Sequence, residues 1–239
     1  MTVGLQIFNT NGVIQIDENL KNPRYVTGGS VAKGADNSGY GTFVINLGAF
    51  GIDLNAEIPL ILVRPNEFGK YVGGIFLTKQ YGTVFGGNFC MIDASDSGFD
   101  YAVFSTRVGG ITDPGNFGLQ VFNAAGEITY NSNNQHARIV ANLIHTATPN
   151  FTYPYSYAFS GFNEMPWIVV NPLVASYLGE QDYPAGVYAK VNAVNSITIG
   201  LQLNGAASTP FLDTYGLVAA KNADPYNGKS ASFALANWA

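Results

Sequence analysis

Apolar positions along the chain fall in short runs, many alternating with polar ones, and clusters of Gly, Asn, Asp and Pro separate them. Alternation over a few residues between turn formers is the pattern of half-buried β-strands. It predicts strands over 40–47, 58–63, 71–78, 101–106, 155–159, 167–170, 187–191, 197–203 and 214–220. No stretch combines a 3.6-residue apolar period with capping residues, so no helix is predicted. Two further stretches read strand, turn, strand: LQIFN-TNG-VIQI and LQVFN-AAG-EITY. In these Asn9 or Asn123 takes the first corner of a type I turn and Gly12 or Gly126 the last, where a positive φ is needed. The predicted class is all-β.

The same two stretches open an internal repeat. Residues 4–26 and 118–140 agree without a gap at ten of 23 positions, at a constant offset of 114. A second block agrees at an offset of 107, where EIPLILVRP (57–65) meets EMPWIVVNP (164–172). A weaker match sets 101–107 against 215–221. Insertions and deletions between the blocks fall in loops, which tolerate them. Two tandem copies of a small β-sandwich are therefore expected, over 1–107 and 117–221, joined by the Gly/Pro-bearing connector 108–116. Each copy is long enough to close its own two-layer core. Residues 222–239 lie beyond the second copy. Their apolar end, with Phe233, Leu235 and Trp238, reads either as a last strand of that copy or as an arm docking on a neighbouring subunit.

Composition narrows the role. Only 11% of the 239 residues are charged, where an ordinary domain has roughly 25%. So little charge implies that much of the outside is covered by other subunits. The net charge of −5 argues against a nucleic-acid partner, which needs concentrated positive charge. An apolar content of 47% excludes disorder. No run approaches the ~18–20 apolar residues that cross a membrane as a helix, so no membrane insertion is expected. The N-terminus lacks the charged and apolar regions of a cleaved secretory signal, which predicts a protein made in a reducing compartment and not exported by such a signal, an extracellular role staying open if another particle carries it out. A single cysteine, Cys90, excludes an internal disulfide framework.

Candidate chemistry is sparse. His136 and His145 have no neighbouring Cys, His or carboxylate at a metal-ligand spacing, and read as surface or loop residues. Cys90, between Phe89 and Met91, reads as a buried inert thiol. Residues 223–230 fit a loose phosphate-loop string, but Pro225 removes a backbone donor, Asp224 adds negative charge, and too little chain follows for the required helix. Asp93, Asp96 and Asp100 offer carboxylates without a calcium-loop spacing and read as a solvated turn. No catalytic residue, metal or cofactor is expected. Arg24 with Glu57, and Arg138 with Glu164, recur at matching positions of the repeat. They read as a partly buried arginine–glutamate bridge in each copy, or alternatively as ligand sites for each arginine. Tyr153, Tyr155, Tyr157 and Phe159 share one strand face, suited to core or inter-domain packing, to a protein interface, or to stacking on glycan.

The string GLQVFNAAGEITYNS, followed by an Arg-Ile-Val strand, resembles small tail proteins of tailed bacteriophages. These begin with a G-L-x-[VI]-[FW]-[ND]-x-x-G core that often continues to an Asp-Ser pair. Gly118, Leu119, Gln120, Val121, Phe122, Asn123 and Gly126 carry the match, with Asn131-Ser132 at the Asp-Ser position; the first copy has Asp17-Glu18 there. The resemblance covers about 23 residues per copy and implies a non-enzymatic structural protein of the tail tip, baseplate or fibre attachment region. It would be made in the bacterial cytoplasm and localised in the virion. Its partners would be other tail proteins and further copies of itself, three-fold rings being one arrangement. A lectin-like module contacting a host surface polysaccharide or pilus is the main alternative, and a tail-borne glycan hydrolase a more distant one.

Overall fold

The computed structural model describes residues 6–8, 14–17, 21–38, 42–81, 84–94, 96–108, 118–146, 155–170, 176–178, 183–203 and 230–237. These form seventeen β-strands and one 3-10 turn, Leu47–Phe50, with no α-helix among the described residues. The first half supplies β1 (Gln6–Phe8), β2 (Ile14–Asp17), β3 (Arg24–Val31), β4 (Thr42–Asn46), β5 (Leu60–Pro65), β6 (Tyr71–Tyr81), β7 (Val84–Asp93) and β8 (Phe99–Ser105). The second supplies β9 (Gln120–Phe122), β10 (Ile128–Asn131), β11 (Arg138–Thr146), β12 (Tyr155–Ala158), β13 (Trp167–Val170), β14 (Ser176–Leu178), β15 (Tyr183–Ala193), β16 (Ser196–Leu203) and β17 (Ser230–Asn237).

Two hairpins, β1–β2 and β9–β10, stand apart from two larger antiparallel sheets. One sheet runs β11-β17-β13-β5-β8-β3. The other runs β12-β16-β15-β6-β7-β4, with β14 also on β15. Each sheet crosses from one half of the chain to the other through a single edge-to-edge ladder. Val63 faces Ile168 and Leu62 faces Val169 between β5 and β13. Gly73, Val72 and Tyr71 face Tyr188, Ala189 and Lys190 between β6 and β15.

Strand alternation then sorts the side chains. On β5 and β8, Ile61, Val63, Phe99 and Val103 point to one face and Leu62, Ala102 and Phe104 to the other. The first set joins Ile45, Val72, Cys90 and Ile92 of the second sheet in one buried cluster. Ile168, Ala189, Val191 and Ile197, from beyond the connector, belong to that same cluster. The expectation that each copy closes a core of its own is thus corrected: the joined edges make the inner faces continuous, so the apolar interior is shared. Burying each such large side chain stabilises by roughly 1.5–3 kcal/mol.

The outer face of the six-stranded sheet is half polar. Leu62, Ala102, Phe104 and Trp167 form a smaller buried cluster there. Beside it a row runs across four strands. Ser30 Oγ donates to Asp100 Oδ1 at 2.6 Å, and Arg64 pairs with Asp100 Oδ2 at 2.9 Å while its guanidinium lies 4.6 Å from the Trp167 ring centre.

Expected and observed strands differ at informative places. The strand at 167–170 coincides with β13, whereas β7 is missing from the expectation because Gly86-Gly87-Asn88 reads as a turn. Phe89 faces Thr78 and Phe85 faces Gln80, so these three residues bulge against one. Gly86 supplies the left-handed φ of 77° that the bulge uses. The segment after β7 is not a solvated turn. Ser97 and Gly98 are buried, and Asp96 accepts from the Tyr71 N–H at 3.0 Å and from Lys70 at 3.3 Å. Residues 230–237, left open between a strand and an arm, form β17, laddered on both sides by β11 and β13. The matched segment 215–221 lies outside the described residues.

A shared interior predicts one cooperative transition. Ile168→Ala, which empties a fully buried position, is expected to cost about 2–5 kcal/mol and to lower a single calorimetric midpoint for the entire chain. Two separately moving transitions in denaturation would contradict the continuous core.

Candidate functional site

The hairpin β9–β10 builds its tip around Asn123. Gly126 donates to the Asn123 carbonyl at 2.9 Å and has φ 78°, as its place at the last corner of the turn requires. The Asn123 side-chain oxygen accepts from the Ala125 and Glu127 N–H groups at 3.0 and 2.9 Å. Its amide donates to Glu127 Oε2 at 2.8 Å. The equivalent turn at 9–12 lies outside the described residues.

This hairpin and the loop after it clasp the segment that leads into β3. Lys21 reaches Glu127 at 3.2 Å. The Asn22 N–H donates to the Thr129 carbonyl, and the Tyr25 N–H to that of Gln135, each at 3.0 Å. His136 completes the clasp, with Nδ1 3.0 Å from the Pro23 carbonyl oxygen and Nε2 2.9 Å from that of Asn131. Its ring stacks on Tyr130, centres 5.0 Å apart at 18°. Each nitrogen thus lies within hydrogen-bond distance of a carbonyl oxygen, and whichever carries a proton donates to it, which makes the imidazole a structural pin.

Between these parts lies a cavity of about 230 Å³, lined by Ile16, Asn22, Pro23, Leu60, Tyr130, His136 and Ala137. At the offset of 114 found in the sequence, Ile16 corresponds to Tyr130, Asn22 to His136 and Pro23 to Ala137. Six of the seven lining residues are therefore three pairs of matching positions gathered at one cavity. The lining carries no carboxylate, amine or thiol. With Ile16, Pro23, Leu60 and Ala137 in the lining, it offers contact surface for a neutral apolar group.

The residues singled out from sequence do not gather here, His136 excepted. Glu57 is held by Ser105 Oγ and by the Thr106 N–H and hydroxyl, the last two at 3.0 Å, and it makes no ion pair with Arg24. The carboxylate instead ties off the end of β8, which offers three donors in adjacent residues. Arg138 lies in β11 opposite Asn237; its side chain is outside the described residues, and Glu164 forms no described bridge. Tyr157 and Phe159 pack against the main buried cluster, and Phe159 meets Phe162 edge-on at 5.3 Å. These two thus serve packing and form no exposed platform. Tyr155 ladders with Ile199; its side chain, Tyr153 and Trp238 lie outside the described residues. Phe233 and Leu235 sit in β17, facing Leu143 and Ala141 of β11. Cys90 is fully buried, and burial pushes its thiol far above the usual range, which suppresses the thiolate. Asp100 is committed to Ser30 and Arg64, and no metal-binding group of three His, Cys, Asp or Glu exists among the described residues. His145 lies in β11 opposite Ala231; of the phosphate-loop string only Ser230 is described. The clasp escaped sequence reading because its partners are mostly backbone carbonyls, although the matched positions 16/130, 22/136 and 23/137 were visible in the repeat.

No family model, curated protein or solved structure matches this chain.

Hydrogen bonds from Asn123 and Lys21, with the charge of Lys21, hold the Glu127 carboxyl below the usual carboxylate range. A depressed folded value means that the clasp gains from Glu127 above the ordinary range and loses that gain as pH falls through the folded value. An NMR titration is expected to place the Glu127 midpoint below that of a free glutamate, and Asn123→Ala to move it back up. For His136→Ala, which removes the ring's hydrogen bonding to these carbonyls and its stacking on Tyr130, the expected loss is about 1–3 kcal/mol. Equilibrium urea unfolding measures it, and an unchanged midpoint would show that the clasp is idle.

Proposed function

We propose that this chain is a non-enzymatic structural protein of a bacteriophage tail, built from two fused copies of one β-sandwich and assembling through apolar surfaces. The duplication is supported by strand order. Taking β1–β8 as one copy and β9–β13 with β15–β17 as the other, both sheets read the same from either end: β3-β8-β5 meets β13-β17-β11, and β4-β7-β6 meets β15-β16-β12. At the centre of the first sheet Leu62 faces Val169, and these are matching positions at the offset of 107. A contact between matching positions is isologous, as in a two-fold dimer.

The observation that carries the assembly role is the exposure of the repeated motif itself. In β9–β10, Val121 is buried, but Leu119 and Phe122 are 43% and 50% exposed. Ile7 of β1, the position matching Val121, is 36% exposed. The residues by which the chain resembles tail proteins therefore turn large apolar groups outward, where a neighbour would cover them. The low charge of the chain acts in the same direction.

The test is to raise antibody against the purified chain and apply it to particles from cells in which the protein is made. Gold label at the tail is the expected result. Protein found wholly in the particle-free fraction would sink the virion role while leaving the duplicated fold untouched. In the same particles, Phe122→Asp is expected to reduce incorporation without lowering the melting temperature of the free protein.

A further inference from the structure

The two large sheets end in strands whose outward backbone groups must find partners or face water. At the β4 end the structure holds a specific arrangement. Phe43 and Ile45 alternate with Val44, which faces Met91 of β7. Val44 turns its own N–H and C=O away from β7. The Val44 N–H donates to Asn37 Oδ1 at 2.6 Å, and Asn37 Nδ2 donates back to the Val44 carbonyl at 3.0 Å. One position along, the Thr42 N–H reaches Ser38 Oγ at 3.3 Å, and the Thr42 hydroxyl donates to the same oxygen at 2.9 Å. Ser38 is itself fixed by Asp36, whose Oδ1 accepts from the Ser38 N–H at 2.8 Å and from its hydroxyl at 2.7 Å.

A primary carboxamide is chemically a peptide group, with one acceptor and a donor at similar spacing. Asn37 thus supplies Val44 with the reciprocal pair of bonds that a facing residue supplies in the hydrogen-bonded position of an antiparallel ladder. Unpaired edges of this kind template the addition of further strands, and proteins block them. We propose that Asn37 and Ser38 form a side-chain lock on the outer edge of β4, and that this edge, once unlocked, docks the β4 strand of a second copy of this chain.

The second copy is the indicated occupant for two reasons. Two β4 strands meeting antiparallel about Val44 would each present the same N–H and C=O to the other, the self-complementary exchange that the Asn37 amide now imitates. The chain also joins sheets in this manner already, at β5–β13 and β6–β15. This inference does not depend on the tail reading. An unlocked edge would self-associate whatever the protein's role.

The experiment compares the full-length protein with Asn37→Ala by amide hydrogen exchange and by sedimentation over a range of concentrations. In dilute solution the Val44 amide of Asn37→Ala is expected to exchange about five- to tenfold faster, as for loss of one hydrogen bond. At high concentration it should regain protection while the variant shifts from the wild-type mass toward twice that mass. Adding Val44→Pro, which removes the outward N–H where an edge strand tolerates proline, should return the mass to the wild-type value. If Asn37→Ala is too unstable to concentrate, Asn37→Asp keeps the acceptor for Val44 but not the donor and is expected to show the same changes in smaller degree. Unchanged Val44 exchange would refute the lock, and faster exchange with wild-type association at every concentration would refute the docking edge.

Discussion

Everything in the architecture depends on two strand-to-strand ladders, β5 with β13 and β6 with β15. A β-strand at the edge of a sheet leaves a row of backbone donors and acceptors unpaired, and each such group costs free energy if buried without a partner. Here the two halves satisfy those rows on each other. The consequence is immediate: three strands join three in one sheet and four join three in the other, the inner faces run without a break across the junction, and the apolar interior takes residues from both sides of the connector. Holding the halves together is a matter of main-chain hydrogen bonds and shared burial.

The few charges of the chain follow the same logic of tying off ends. Glu57 closes the end of β8 through Ser105 and Thr106. Asp96 fixes the start of β6 through the Tyr71 N–H, and Asp100 couples β3 to β5 through Ser30 and Arg64. Each carboxylate accepts from two or more donors, which makes charge-assisted bonds stronger than neutral ones. A protein with so little charge thus spends a good part of it internally. That leaves less for the surface than the composition alone implies and strengthens the case for covered faces.

The sequence made the class and much of the strand placement legible, because alternation and turn residues act locally. Trp167–Val170 and the Asn123–Gly126 turn are read directly from residue type. The long β7 was hidden, since Gly86-Gly87-Asn88 looks like punctuation and becomes a bulge only when β6 lies beside it. Arg24 and Glu57 were rightly noticed as recurrent charges but wrongly paired. Periodicity says which face a residue occupies and not which of several donors it meets, and Ser105 and Thr106 carry no periodic signal. The separation into two cores failed for a related reason: local pattern marks where strands are and is silent on which edges join. The clasp at 21–25 was illegible because it is made largely of backbone groups, whose partners no side-chain pattern announces.

The cavity at the junction bears on why the copies would be fused at all. In a dimer of identical chains, matching positions across the two-fold axis must carry the same residue. Around this cavity they do not: at matching positions the lining carries Ile16 and Tyr130, Asn22 and His136, Pro23 and Ala137. The difference is used. The His136 ring lies within hydrogen-bond distance of the carbonyls of Pro23 in one half and Asn131 in the other, and Tyr130 supports it by stacking, roles that Asn22 and Ile16 have no ring to fill. On the reading of a fused pair, covalent duplication freed the axis from symmetry, so that one copy could evolve a ring that reaches the backbone of the other. Such a junction is fixed in one orientation by its own chemistry, and its two sides are related but distinguishable.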